Sequence, residues 1–424
     1  ANTQLRSHMA RSSSAAPSGN GEDPVKKRNS KRVSDNSSSQ ESPRSLANTL
    51  TARKRGEREK SLAIFDWITR NIVYDMPSLK LGIYTLQEPE FTLKSRRAVC
   101  GGFAKLFEAL AREAGLEART VIGFAKGTGF SPGDSLQGNI TNHVWNAVKI
   151  DGKWQLLDCT WGGGIFEGND RYRSRYEPFY FCPDPKHLVY THFPEDPRWQ
   201  LLDVPVTPKV FINLPQVWPD FFRHRIRCVN ARYGNLNARG LLTLRFASPD
   251  NVRLSAASVD PDGKKKINST FCQRLNGESV VHFASRRLGL HTLELYARNG
   301  VNPLRYRNVE SISATLVAKY SIRVLAPEVT LSPFPKTFAI FADARARLES
   351  PLSRNLTAGH IHHFRVEVPG AREVLLKAGL QRISLNRDGS WFETQVRIER
   401  GEILLLARFG MANRYWHLLR FEGI

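Results

Sequence analysis

Two β-rich runs, His143 to Ile150 and Lys153 to Thr160, are separated only by Asp151-Gly152. Asp-Gly readily takes positive φ at both central positions of a two-residue turn, so the chain is predicted to double back here as a tight antiparallel hairpin. Such a turn also fixes the register. Paired residues then sum to 303 (150 + 153), Trp145 faces Asp158, and His143 faces Thr160. His143 and Asp158 become diagonal neighbours on one face of the sheet, within reach of a side-chain hydrogen bond. A surface histidine and a turn-adjacent aspartate would not explain why Asp158 sits among Leu156, Leu157 and Trp161.

Upstream, Phe103, Phe107, Leu110 and Ala114 form one apolar stripe at helical spacing, and Gly115 is placed to stop the helix. Cys100 lies at the N-terminal end of that stripe. A helix start favours thiolate, because unpaired backbone N–H groups and the positive end of the dipole lie beside the sulfur. The backbone N–H of the cysteine is then available to an oxyanion. Most single cysteines are small buried apolar residues. The histidine-aspartate pair downstream overturns that reading and defines the candidate catalytic set: Cys100 as nucleophile, His143 as proton shuttle, Asp158 as the group that orients His143.

The remaining sequence sorts into regions. Residues 1–45 are rich in Ser, Asn, Lys and Arg with almost no large apolar side chains, so a disordered basic tail is expected. Helical spacing of Leu62, Phe65, Ile68 and Ile72 marks the first folded element, from Glu57. A Gly-rich loop is expected from Gly127 to Gly138, and a Pro-studded stretch from Pro183 to Pro219 reads as extended packing and linker. From about Arg225 onward, short β-type runs alternate with turn residues, as in sandwich domains of about one hundred residues. Asn235-Leu236 followed by Leu244-Arg245-Phe246 matches Asn355-Leu356 followed by Phe364-Arg365-Val366 at an offset of 120, and the strand-like run to Leu325 ends at Ala326-Pro327. The expected organisation is a tail over 1–45, a catalytic domain over 46–205, and β-sandwich modules over 206–326 and 327–424.

The 424 residues carry a formal net charge of +22, which predicts attraction to acidic surfaces through the basic tail. No basic-aromatic motif accompanies the charge, so nucleic acid is not the expected partner. Five unpaired-looking cysteines and the lack of a long apolar run or signal peptide predict a soluble, cytoplasmic protein with reduced thiols and no membrane span.

Val99-Cys100-Gly101-Gly102-Phe103, His143-Val144-Trp145-Asn146 and Trp154-Gln155-Leu156-Leu157-Asp158-Cys159-Thr160-Trp161-Gly162 resemble the transglutaminase-like superfamily, and more closely its kyphoscoliosis peptidase branch. Glu177-Pro178-Phe179-Tyr180-Phe181, His192-Phe193-Pro194 and Trp199-Gln200-Leu201-Leu202 are similar to that branch as well. The resemblance covers roughly residues 57–205. It implies an α+β, papain-related core, a helix packed on an antiparallel sheet, followed by two β-sandwich (immunoglobulin-like) modules. It further implies a cysteine-type peptidase or acyl transferase using Cys100, His143 and Asp158, and association with cytoskeletal proteins. The alternative is a non-catalytic scaffold that binds cytoskeletal partners through the C-terminal modules. Cys159 stands where relatives commonly carry a small hydroxyl residue, and it is expected to be structural. No acidic cluster like the calcium sites of calcium-dependent transglutaminases is present, so no cofactor is expected.

Overall fold

A computed structural model of the chain describes residues 42–81, 87–127, 130–135, 141–167, 171–302, 313–330, 333–411 and 414–424. Most of the expected basic tail, 1–41, and parts of the Gly-rich loop, 128–129 and 136–138, lie outside these residues. The first helix starts earlier than the apolar spacing suggested. Pro43–Thr51 is helical because Ser42 and Ser45 form a reciprocal capping box and Pro43 occupies the first turn, signals carried by three polar or small residues rather than by apolar periodicity.

The chain divides into two compact units, 1–122 with 143–183, and 123–142 with 184–424. In the first, helix Glu57–Asn71 buries Ile64, Phe65 and Ile68, and helix Cys100–Glu113 buries Phe103, Phe107 and Leu110. The second helix stops where expected, with Gly115 at φ 79° immediately after the cap residue Ala114. It lies against strand His143–Ile150, whose Asn146 side chain donates to the carbonyl of Ala104 at 3.0 Å. That strand is flanked by Lys153–Leu157 on one side and by Ala118–Ala125 on the other.

The hairpin has the register that the turn dictates, from Ile150 opposite Lys153 to Asn146 opposite Leu157, but the second strand ends there rather than at Thr160: Asp158 caps helix Cys159–Gly163, so the expected pairs Trp145–Asp158 and His143–Thr160 do not belong to the ladder. Asp151 and Gly152 have φ of 48° and 76°, the mirror-image turn that matches strand twist. Strand Lys153–Leu157 gains a further edge from the Phe181 segment, which accepts the N–H of Asp158 through the carbonyl of Tyr180 at 3.0 Å.

In the second unit, Gly123–Ala125 pair with strand His192–Pro194. The stretch expected to be linker is more ordered than its prolines implied. Pro185, Pro208 and Pro219 each open a short helix, where a missing N–H costs nothing, rather than breaking one.

Beyond residue 215 the unit is built of β-sheets. One pair consists of a four-stranded sheet (Arg227–Cys228, Leu242–Ala247, Glu278–Phe283, Thr270–Leu275) and a larger one centred on Gly289–Asn299 and Thr315–Ala326. The second pair repeats the topology, with a four-stranded sheet around Ile361–Glu367 and a larger one centred on Gly401–Phe409 and Tyr415–Gly423. The offset of 120 extends well past the motif that announced it. Gln216–Val217 corresponds to Lys336–Thr337, and left-handed Arg225 (φ 51°) to left-handed Arg345 (φ 54°), each just after a five-residue helix. Leu244 and Phe364 are both buried on equivalent strands. Phe271 and Ala284 of the first pair share one apolar cluster with Phe334, Phe341 and Phe364 of the second.

Candidate active site

Each of the three candidate residues occupies an element boundary in the first unit. Cys100 is the first residue of its helix, His143 the first residue of its strand, and Asp158 the N-cap of the short helix Cys159–Gly163 that follows the hairpin. The side chains of the last two meet, with Asp158 one residue past the end of the hairpin strand. His143 Nε2 lies 2.7 Å from Asp158 Oδ2, and the two side chains are 7% and 1% exposed, so the contact is almost fully withdrawn from water.

The other oxygen, Oδ1, accepts the backbone N–H groups of Thr160 at 2.7 Å and Trp161 at 3.0 Å. One carboxylate therefore caps a helical turn and holds an imidazole, so neither group can shift without disturbing the other. With Nε2 engaged by Asp158, the imidazole also lies within electrostatic reach of the Cys100 sulfur, which helps to raise its pKa.

The electrostatics follow from this geometry. Burial alone would push the His143 imidazole down from 6.5, but the Asp158 carboxylate and the Cys100 sulfur outweigh it and hold the value up to about 10. Around Asp158, other proton-bearing groups are shifted in the same direction, with burial now adding to the effect. Burial and the same carboxylate raise the Cys159 thiol well above its ordinary value, and raise the phenols of Tyr172 and Tyr180. Cys159, fully enclosed and held as thiol, is the structural cysteine of the pair. Trp145 and Trp161 lie beside the imidazole, with ring centroids 6.0 and 5.7 Å away.

A residue missed by sequence reasoning adds to the site. Gln87 Oε1 accepts the N–H of Val99 at 3.1 Å and of Gly102 at 3.0 Å, at the start of the Cys100 helix. The only sequence-level sign was negative: Val99, at the N-cap, has no side-chain oxygen, so a helix lacking a local cap should draw one from elsewhere.

A helix-borne cysteine facing a histidine and an aspartate on an antiparallel hairpin is the arrangement of papain-related thiol folds. Residues 44–159 match the family model of the transglutaminase-like superfamily, and the chain carries a transglutaminase-like domain there. The chain is 28% identical over 257 residues to kyphoscoliosis peptidase of Mus musculus, covering 60% of this chain and 38% of that protein. It is 27% identical over 319 residues to hillarin of Drosophila melanogaster (68% and 38%). It is 30% identical over 322 residues to the Lim and transglutaminase domain protein ltd-1 of Caenorhabditis elegans (69% and 43%). The chain thus spans about two fifths of the length of these curated relatives.

Proposed function

We propose that this chain is a cysteine-dependent acyl-transfer enzyme acting on peptide or glutamine amides, with Cys100, His143 and Asp158 as its catalytic triad. The observation that carries the reading is the buried 2.7 Å contact between His143 Nε2 and Asp158 Oδ2, with Cys100 opening a helix that packs on the strand of His143. The Cys100 thiolate attacks the carbonyl carbon, and electrons of the C=O bond move onto oxygen. Collapse expels the amine, which takes a proton from the His143 imidazolium and leaves a thioester on Cys100. Water, or a second amine, then gives a proton to His143 and attacks the thioester, releasing the acyl product and restoring the thiol. Asp158 stabilises the imidazolium through both half-reactions. The name of one relative, a peptidase, supports a protein substrate.

We place the protein in the cytoplasm, in association with cytoskeletal proteins. All five cysteines are free thiols, in keeping with a reducing compartment, and no helix among the described residues is long and apolar enough to cross a membrane. The charge of +22 favours acidic partner surfaces.

A second reading, a non-catalytic scaffold, draws support from the tandem sheet pairs, which share one apolar cluster. Labelling with a thiol-directed electrophile across pH separates the two. An enzyme shows accelerated labelling at Cys100 below neutral pH, which is absent in Cys100→Ala. A scaffold shows Cys100 reacting no faster than an ordinary exposed thiol.

A further inference from the structure

The Cys100 helix is capped in an unusual way. In an ordinary capping box the N-cap side chain accepts the N–H of the third helical residue, and that residue's side chain accepts the N–H of the N-cap. Here the N-cap is Val99 and the third residue is Gly102, so neither can supply an acceptor. Gln87 supplies both roles from outside the helix with a single oxygen, taking the N–H of Val99 at 3.1 Å and sharing that of Gly102, at 3.0 Å, with the Val99 carbonyl at 2.9 Å.

Space for this acceptor exists because residue 102 is glycine. A Cβ there would stand 2.7 Å from Gln87 Oε1, 2.6 Å from Ala98 Cβ and 2.8 Å from Thr92 Oγ1. The two N–H groups between, on Cys100 and Gly101, have no acceptor among the described residues. The approach to Gly101 is open, since a Cβ there would meet nothing within 4 Å.

Charge distinguishes this cap from others in the chain. The turns beginning at Cys159, Pro185 and Pro197 are capped by the carboxylates of Asp158, Asp184 and Asp196. A carboxylate at the N-terminus of the Cys100 helix would satisfy the same N–H groups while opposing negative charge on the sulfur and on any oxyanion beside it. A local Ser or Asp cap would also compete for the N–H of Gly101, because N-cap side chains accept from the second or third helical residue.

We propose that Gln87 is a positioning residue for the acyl-transfer reaction: its neutral amide oxygen ties down the N–H groups of Val99 and Gly102, so that those of Cys100 and Gly101 remain together as the donor pair for the oxyanion. This assignment rests on the catalytic reading of Cys100. The geometry makes Gln87 the reason that the helix start stays electropositive and open at two consecutive residues instead of being quenched by its own cap.

The test is the rate of iodoacetamide alkylation at Cys100 in the full chain, followed from pH 5 to 10 by mass spectrometry of the Cys100 peptide, with melting temperature measured in parallel. Gln87→Glu keeps an acceptor oxygen at the same reach and adds one negative charge. The expected result is a midpoint of the rate profile displaced upward by about one pH unit and alkylation at pH 6 slowed about tenfold, with the fold retained. Gln87→Ala removes the acceptor without adding charge, and its expected signature is faster hydrogen exchange at the Val99 and Gly102 amides. A Gln87→Glu profile that overlays the wild type would overturn the proposal and leave Gln87 a packing residue, as would unchanged exchange at both amides in Gln87→Ala. Should wild-type Cys100 react as an ordinary thiol while Gln87→Glu still shifts the midpoint upward, the enzymatic reading falls and the oxyanion-positioning role falls with it, leaving Gln87 as a neutral cap of the helix.

Discussion

Asp158 and Asp343 are both buried carboxylates, with side chains 1% and 0% exposed, but the company they keep differs in kind. Asp343, at the end of helix Ala339–Asp343, receives both terminal nitrogens of Arg298 at 2.8 Å, approaches Arg253 at 3.6 Å, and accepts the N–H of Val301 at 3.1 Å. Its partners are guanidinium groups that keep their charge at every pH a protein survives. Asp158 faces an imidazole that takes up and releases a proton, and one step beyond it a thiol. A carboxylate matched to a permanent cation is a staple, and one matched to a titratable group can take part in a proton cycle. Burial alone does not tell them apart, whereas the reversibility of the partner's charge does.

The largest expected effect lies at the reversible pair. Asp158→Asn keeps Oδ1 for the Thr160 and Trp161 N–H groups but removes the charge that stabilises imidazolium. Acyl-transfer rate, read as thioester formation on Cys100 with an activated ester, should fall roughly 10²–10⁴-fold while the circular dichroism spectrum is preserved. At the permanent pair the outcome should invert. Asp343→Ala strands two arginines, 10% and 11% exposed at the side chain, and should cost about 3–5 kcal/mol in denaturant unfolding with no change in Cys100 alkylation.

Smaller, and specific to the reversible pair, is a pH dependence. The folded-state value of His143 is raised, from 6.5 to about 10, so its contribution is fully present below 6.5 and is lost as pH rises through 10. The melting-temperature gap between wild type and Asp158→Asn should therefore be widest near pH 6 and shrink towards pH 10. The corresponding gap for Asp343→Ala should stay constant over that range. Smallest is Cys159→Ser. Because that thiol is enclosed and held protonated, native-state alkylation of the protein at neutral pH should change by less than about twofold.

What the sequence disclosed about the site was set by how locally each feature is encoded. Asp151-Gly152 determines a register by itself, which brings His143 and Asp158 close, whereas the turn of the chain at Asp158 into helix Cys159–Gly163 left no mark in the alternation of the strand. The helix opening at Cys100 was legible from one apolar stripe and one glycine. Gln87 was not legible, because a side-chain acceptor serving backbone donors 12 and 15 residues away leaves no periodic trace. The Pro43–Thr51 helix was missed because it is specified by its cap more than by its apolar spacing, and the helices at Pro185, Pro208 and Pro219 because proline was weighted as a breaker rather than as a first-turn residue. In the modules, two short matches at an offset of 120 stood for an entire repeated topology.

The two-residue turn has a kinetic consequence as well. His143 and Asp158 are 15 residues apart along the chain, and Cys100 lies 43 before His143 (143 − 100). Closing the longer loop costs roughly 1 kcal/mol more in chain entropy by logarithmic scaling, before the helix-sheet packing that holds it is counted. During refolding the imidazole and carboxylate should thus meet in the hairpin phase, while the sulfur joins them only when the Cys100 helix docks on the sheet. A chain interrupted between those events carries the His143–Asp158 pair without the Cys100 helix beside it, so on the proposed catalytic reading a partly folded molecule would have ordinary thiols only.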